Sequence, residues 1–139
     1  NFKRIYFSAY QQGLGSPDIP GERRPEGSED TFVREHRLYQ VDFLVRKYGF
    51  KRDDIIVGGD GNLSLDKDPK QVWADNHPEF YPVPINSAGR EDLLKVPGIG
   101  PEGLRRILQA RKDGRISSLS RIGFRGKLLQ KVRQYSILE

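Results

Sequence analysis

Residues 93–101, with the sequence LLKVPGIGP, are the part of this chain best suited to binding an anion. Gly98 and Gly100 flank one apolar residue and permit backbone conformations that a Cβ disfavours, while Pro101 stands where proline can begin a helix. The first N–H groups of a helix have no partner within it, and the helix dipole makes that end positive. The pattern therefore predicts a hairpin between two helices that binds phosphate through its backbone.

Cationic side chains near this hairpin are the second part of the prediction. Lys95 precedes it, and Arg105 and Arg106 follow in the next helix. Lysine and arginine add contacts to phosphates that carry no sequence information. A single basic rim around residues 98–100 favours DNA binding, whereas cations scattered over different faces favour a structural or protein-docking module. Glu102 also lies there, and its carboxylate repels phosphate locally.

A different set of side chains resembles the start of a calcium-binding loop. Oxygen-bearing residues recur at alternate positions: Asp60, Asn62, Ser64, Asp66 and Asp68. The loop needs glycine at its sixth position and glutamate at its twelfth, and here Leu65 and Gln71 occupy them. Calcium is therefore not predicted, and Asp68 is better explained as the N-cap of a short helix that starts at Pro69.

The segments that position the hairpin form a predicted all-α half, residues 85–139. A short helix carrying Leu93 and Leu94 precedes the hairpin, and a helix over 101–112 follows with apolar residues on one face. About 25 residues later, residues 119–126 predict a second hairpin, followed by a helix over 127–135. Its glycine pattern is altered, which predicts a mainly structural role for this second copy.

The first half, residues 1–84, is predicted to be a helical segment with one N-terminal strand or arm. Its expected elements are a strand over 2–10, a loop over 11–27, helices over 30–48 and 69–76, a helical turn over 52–57 and an extended connector over 80–85. Gly49 ends the first helix, with Phe50 packing back on its last turn. The predicted fold is thus mainly α, with a domain boundary between residues 84 and 85.

Charge is unequally divided between these halves. Residues 1–84 carry 12 Lys/Arg and 14 Asp/Glu, giving −2, whereas residues 85–139 carry 12 and 5, giving +7. A basic hairpin half is typical of proteins that bind a polyanion. The absence of cysteine excludes thiolate metal sites within the chain, and no apolar run approaches the roughly 20 residues that span a bilayer. A cytoplasmic protein without a membrane partner is expected.

The hairpin half resembles the tandem helix-hairpin-helix DNA-binding domain of bacterial competence proteins. The residues that carry the resemblance are Ile85-Asn86-Ser87-Ala88, Asp92-Leu93-Leu94, Pro97-Gly98-Ile99-Gly100-Pro101 and residues 107–111. It implies that the amides of Gly98, Ile99 and Gly100 hold a phosphate, with Lys95 and Arg105 beside them. It also implies a monovalent cation site at three backbone carbonyls: Leu94, Val96 and Ile99.

A second resemblance spans nearly the whole chain. Residues 6–10, 34–40, 48–50, 61–63 and 68–70, followed by the hairpin, resemble the C-terminal portion of bacterial radical S-adenosylmethionine proteins described as DNA modification or repair proteins. It implies that the chain is a fragment whose first strand ends a partial barrel. It also implies that the cysteines holding an iron–sulfur cluster with S-adenosylmethionine lie upstream.

Three functions remain open on these residues. The first is a sequence-independent DNA-binding module, itself not catalytic, that accompanies a repair or modification enzyme. The second is a DNA glycosylase, but such enzymes need an aspartate in a Gly/Pro-rich segment after the hairpin, and only Asp113 follows it. The third is the structural or protein-docking module, in which the positive charge serves solubility.

Overall fold

The structure is a computed structural model that describes residues 6–8, 13, 15–19 and 30–139. Its elements are α1 (Asp30–Lys47), α2 (Pro69–Asn76), β1 (Val83–Pro84), α3 (Arg90–Lys95), α4 (Pro101–Asp113), α5 (Gly126–Tyr135) and β2 (Ser136–Ile137), with one-turn 3-10 helices at Arg52–Asp54 and Pro78–Phe80. The predicted mainly helical fold is confirmed. The predicted strand over 2–10 and loop over 11–27 lie largely outside the described residues.

The end of α1 and the start of α2 follow from their local sequences. Gly49 adopts a φ of +72°, and the N–H of Phe50 donates to the carbonyl of Leu44, which closes α1 with Phe50 buried. At the start of α2, Oδ1 of Asp68 accepts from the N–H of Gln71 at 2.9 Å. The predicted turn over 52–57 is shorter than expected, because Ile55 is already extended.

The main core lies in the hairpin half. Its buried residues are Val83, Ile85, Leu93, Leu94, Val96, Ile99, Leu104, Ile107, Ile116, Leu119, Phe124 and Val132. Each hairpin contributes fully buried side chains, among them Ile99 from the first and Phe124 from the second. Burying such a side chain stabilises a fold by about 1.5–3 kcal/mol, so both turns are anchored by their own apolar residue.

A smaller core joins the first half to the second. Leu44, Phe50 and Trp73 form it, and Tyr48, Phe80 and Tyr81 pack against both cores. The two strands add a backbone connection, because β1 pairs in parallel with β2 and the N–H of Ile85 donates to Ile137 at 2.8 Å. Residues on both sides of the predicted boundary at 84/85 are therefore in contact.

None of the helices in the described ranges combines the length and the apolar character required to cross a bilayer.

Candidate nucleic-acid interface

The first hairpin, residues 96–101, is a tight turn followed directly by α4. The N–H of Ile99 donates to the carbonyl of Val96 at 3.0 Å, and Gly98 has a φ of +91°. Proline at the second position and a glycine with positive φ at the third are typical of a type II turn. Gly100 is the N-cap of α4 and accepts from the N–H of Leu104 at 2.8 Å, without any side-chain cap.

Packing explains both glycines of this hairpin. A Cβ on Gly98 would lie 2.9 Å from Cγ2 of Val132 in α5, and a Cβ on Gly100 would lie 3.0 Å from the hydroxyl of Tyr48. The first distance is shorter than real contacts allow and Gly98 also has a positive φ, whereas the second requires the Tyr48 hydroxyl to shift by a few tenths of an ångström. Gly98 is therefore required whether or not a phosphate approaches, and packing favours glycine at position 100.

The structure differs from the sequence interpretation at the amide of Ile99. That N–H donates to Val96 within the turn, so it is already engaged and is a poorer donor to a phosphate than a free amide. Residues 98–100 instead line a cleft of about 560 Å³ whose opposite side is formed by α1 and includes Tyr39 and Phe43. The first hairpin thus faces protein across a cleft.

Lys70 occupies the position of the predicted cation at Ile99. Its ammonium donates to the Ile99 carbonyl at 2.6 Å and lies 4.7 Å from the centre of the Tyr48 ring. The carbonyl of Val96 accepts from Ile99, so two of the three carbonyls in the predicted cation site already have internal donors. Burial lowers the pKa of Lys70 to about 7, because the charged form loses its hydration.

The ammonium of Lys95 is engaged by residues of the smaller core. It lies 4.6 Å from the centre of the Trp73 ring, within 6 Å of the Phe50 and Phe80 rings, and 3.8 Å from a carboxylate oxygen of Asp54. A lysine over aromatic faces with an acidic neighbour stabilises the smaller core. Its predicted role at phosphate is therefore not supported by its position.

The two arginines of α4 are also engaged. Arg105 donates two hydrogen bonds to Glu102, at 2.9 and 2.6 Å, and these bonds lower the pKa of Glu102. Arg106 donates to the carbonyl of Gly123 at 2.7 Å and lies over the ring of Phe124. With Lys95 among the aromatic rings, the three predicted cations lie in different environments and form no single basic rim.

The second hairpin, residues 119–126, repeats the first with a spacing of 25 residues. Gly123 has a φ of +92°, matching Gly98, and α5 begins at Gly126, as α4 begins at Pro101. Arg125 is the N-cap of α5 and, like Gly100, makes no side-chain cap. The predicted second hairpin is therefore present as a turn followed by a helix.

The surroundings of the second hairpin are more open and more basic. Arg121, Arg125 and Lys127 are exposed, and the first turn of α5 contains no acidic residue. The sequence contains this signal as three cations within seven residues, but the phosphate site was predicted at the first hairpin because of its glycines. The expected division of roles, with the second copy mainly structural, is not supported by this exposure.

The positive charge of residues 85–139 divides into two groups. Five cations are held by described residues: Lys95, Arg105, Arg106, Arg111 and Lys131. Seven others are exposed and have no hydrogen bond or ion pair of their side chains with the described part of the chain: Arg90, Lys112, Arg115, Arg121, Arg125, Lys127 and Arg133. The second group supplies the charge available to a polyanion.

Residues 6–8, 13, 15–19 and 30–139 contain no group of three or more His, Cys, Asp or Glu side chains that could hold a metal ion. In the segment that resembles a calcium loop, Oδ1 of Asp60 accepts from the N–H of Asn62 at 3.0 Å, and Asp68 caps α2. The chain also has no cysteine. Its own residues therefore do not fit an iron–sulfur cluster.

Comparison of the chain with protein-family models, curated proteins and solved structures gives no match.

Proposed function

We propose that this protein binds DNA without sequence preference, through the phosphate backbone, with residues 85–139 as the binding half. The observation that carries the proposal is the second hairpin, where an uncapped helix start is exposed beside Arg121, Arg125 and Lys127. Free N–H groups at a helix start favour an anion, and nearby cations add sequence-independent attraction. Nothing in this arrangement selects one base over another.

The two hairpins together supply a pair of such helix starts. Gly98 and Gly123 adopt the same backbone conformation, and both α4 and α5 begin without a side-chain cap. Two related contacts suit a polymer that presents phosphates repeatedly. In this proposal the second hairpin makes the stronger contact, because Glu102 lies at the start of α4 and no acid lies at the start of α5.

The resemblance to radical S-adenosylmethionine proteins adds a cellular role to the proposal. In that role, the protein holds a cytoplasmic DNA repair or modification enzyme on its substrate.

A salt titration tests the binding proposal. We expect duplex and single-stranded DNA to bind with a dissociation constant on the order of 10⁻⁴–10⁻⁶ M at physiological salt, and more tightly as salt falls. A double variant, Arg125→Gln with Lys127→Gln, should reduce the slope of log K against log salt by about 2 on duplex DNA. Binding that is absent at low salt, or indifferent to salt, would contradict the proposal.

A matched control separates local from general charge effects. Lys51→Gln with Arg52→Gln removes the same charge from two exposed positions at the one-turn helix after α1. This control should leave the salt slope close to that of the unaltered protein. Equal losses in both double variants would show that net charge, and not the second hairpin, governs binding.

The scattering of Lys95, Arg105 and Arg106 favours a second candidate function, the structural or protein-docking module. In that case the hairpins serve only to pack α4 against α5, and the exposed cations serve solubility. The titration with its charge-matched control distinguishes the two candidates, because in a docking module the two double variants should change the salt slope equally.

A further inference from the structure

A second basic surface is lined by a different set of residues from the cleft that faces the first hairpin. It is a groove of about 550 Å³ between the end of α1, the start of α3 and one side of α4. Four cationic side chains line it: Lys47, Arg90, Arg105 and Lys112. Leu104 and Leu108 also line it, so that apolar side chains and cations share one groove.

The charge of the groove is largely uncompensated. No carboxylate lines it, and Lys47, Arg90 and Lys112 make no ion pair with any residue in the described ranges. Arg105 is the exception, since Glu102 holds its guanidinium. Glu91 follows Arg90 in sequence, but its side chain lies against Gly49 and outside the groove lining.

The helix dipole explains the positions of only some of these cations. Lys47 and Lys112 lie in the last turns of α1 and α4, where the helix dipole favours a cation. Arg90 is the first residue of α3, where the same dipole disfavours one. Glu91 and Asp92 follow in the same turn and suit the dipole, so α3 itself gives no reason for a cation at its first position, and the exposed Arg90 is available to an anionic partner in the groove.

The length of the groove indicates a polymer rather than a single anion. Pro101, Arg105, Leu108 and Lys112 recur at helical spacing along one side of α4, which covers about 16 Å at 1.5 Å per residue. Each strand of a DNA duplex carries a phosphate about every 3.4 Å along the axis, so several phosphates fit within this length. Pro101 also connects the groove directly to the first hairpin.

We propose that this cationic groove is a second binding surface for the nucleic-acid backbone, lying along one side of α4 from Pro101 to Lys112 and bordered by Lys47, so that α1 takes part in the interface. The proposal rests on the proposed DNA binding and extends it beyond the hairpin half. It also gives Arg105 a position at the edge of a phosphate path, although Glu102 limits its contribution.

The test is a groove double variant, Lys47→Gln with Lys112→Gln, in the full chain. Both side chains are exposed, so circular dichroism should be unchanged, and loss of two favourable helix-dipole interactions should lower the unfolding midpoint only slightly. We expect the salt slope on duplex DNA to fall by about 2, with affinity at low salt weaker by about tenfold. The control is Lys51→Gln with Arg52→Gln, which removes equal charge outside the groove lining.

The outcomes separate this proposal from the one on which it rests. If the unaltered protein binds DNA and only the groove variant loses slope, the groove is supported. If the protein binds DNA but the groove and control variants behave alike, the groove proposal is wrong and DNA binding stands. If the unaltered protein shows no salt-dependent DNA binding, both proposals are wrong. Polyglutamate serves as a second polyanion. If it binds as tightly as DNA and the groove variant weakens its binding equally, the occupant of the groove is not nucleic acid.

Discussion

The two hairpins share a backbone and differ in what surrounds them. Gly98 and Gly123 have almost the same φ, and each is followed by a fully buried apolar residue, Ile99 or Phe124. The first hairpin packs on the apolar side chains of α5 and faces a cleft, whereas the second packs on the guanidinium of Arg106 and is exposed. The hairpin with the clearer sequence motif is therefore the more enclosed one.

This difference shows that a strong glycine motif can report packing as well as ligand binding. Gly100 is close to Tyr48, and its counterpart 25 residues later is the exposed Arg125. Where a neighbour lies close to the position of a Cβ, packing favours glycine, and where the site is open a cation is tolerated. Motif strength and accessibility to a phosphate are thus separate properties in this fold.

The largest expected effects come from substitutions in the main core, which test whether both hairpins are equally important for stability. Phe124→Ala should lower the free energy of unfolding by about 3–5 kcal/mol and Ile99→Ala by about 2–5, because each leaves a cavity in the main core. Denaturant unfolding measures both. Val57→Ala, at a side chain that is 49% exposed, is the control and should change little. A small loss for only one of the core variants would break the equivalence of the two hairpins.

The paired glycine substitutions sharpen the difference in packing. Gly98→Ala and Gly123→Ala carry similar strain from positive φ, so that strain cancels when they are compared. The new methyl group meets Val132 in the first case and the flexible end of Arg106 in the second. Gly98→Ala should therefore be the more destabilising by about 1–3 kcal/mol in equilibrium unfolding. Equal costs would show that α5 yields as easily as an arginine side chain.

A pH series tests the buried ammonium that only the first hairpin has. The pKa of Lys70 is about 7 in the fold and 10.5 when unperturbed, so between these values the unfolded chain binds more protons. The free energy of unfolding should then rise with pH across this window, by at most about 1.4 kcal/mol per unit. Lys70→Met should remove this dependence, as measured by denaturant unfolding at pH 7, 8 and 9. An identical pH dependence in the variant would contradict the assignment.

The smallest effects concern the matched positions Glu102 and Lys127, each second in its helix. Glu102→Gln frees Arg105 and removes a negative charge from the start of α4, so DNA affinity should rise about two- to fivefold at low salt. Lys127→Gln should lower affinity by a similar factor. Fluorescence anisotropy with a short duplex measures both changes. If the two substitutions shift affinity in the same direction, the assigned difference between the helix starts is wrong.

Local sequence predicted much of the fold. The N-cap at Asp68, the cap after α1 at Gly49 and the start of α4 at Pro101 are set by residues within a few positions of each other, and the structure confirms all three. The pairing of β1 with β2 was not predicted, because two-residue strands carry no periodic signal and their partners are 53 residues apart. The surroundings of the predicted site residues were not predicted, because their partners come from distant segments.

The sequence by itself determined the tight glycine turns, the helices they connect and the net charge of the hairpin half, because these depend on neighbouring residues and on composition. Only the tertiary structure decided which cations are available. Lys95 lies among aromatic rings contributed by residues 50–80, and Lys70 reaches Ile99 from 29 positions away. Folding brings such partners together in space, and local sequence patterns do not indicate which distant residues will meet.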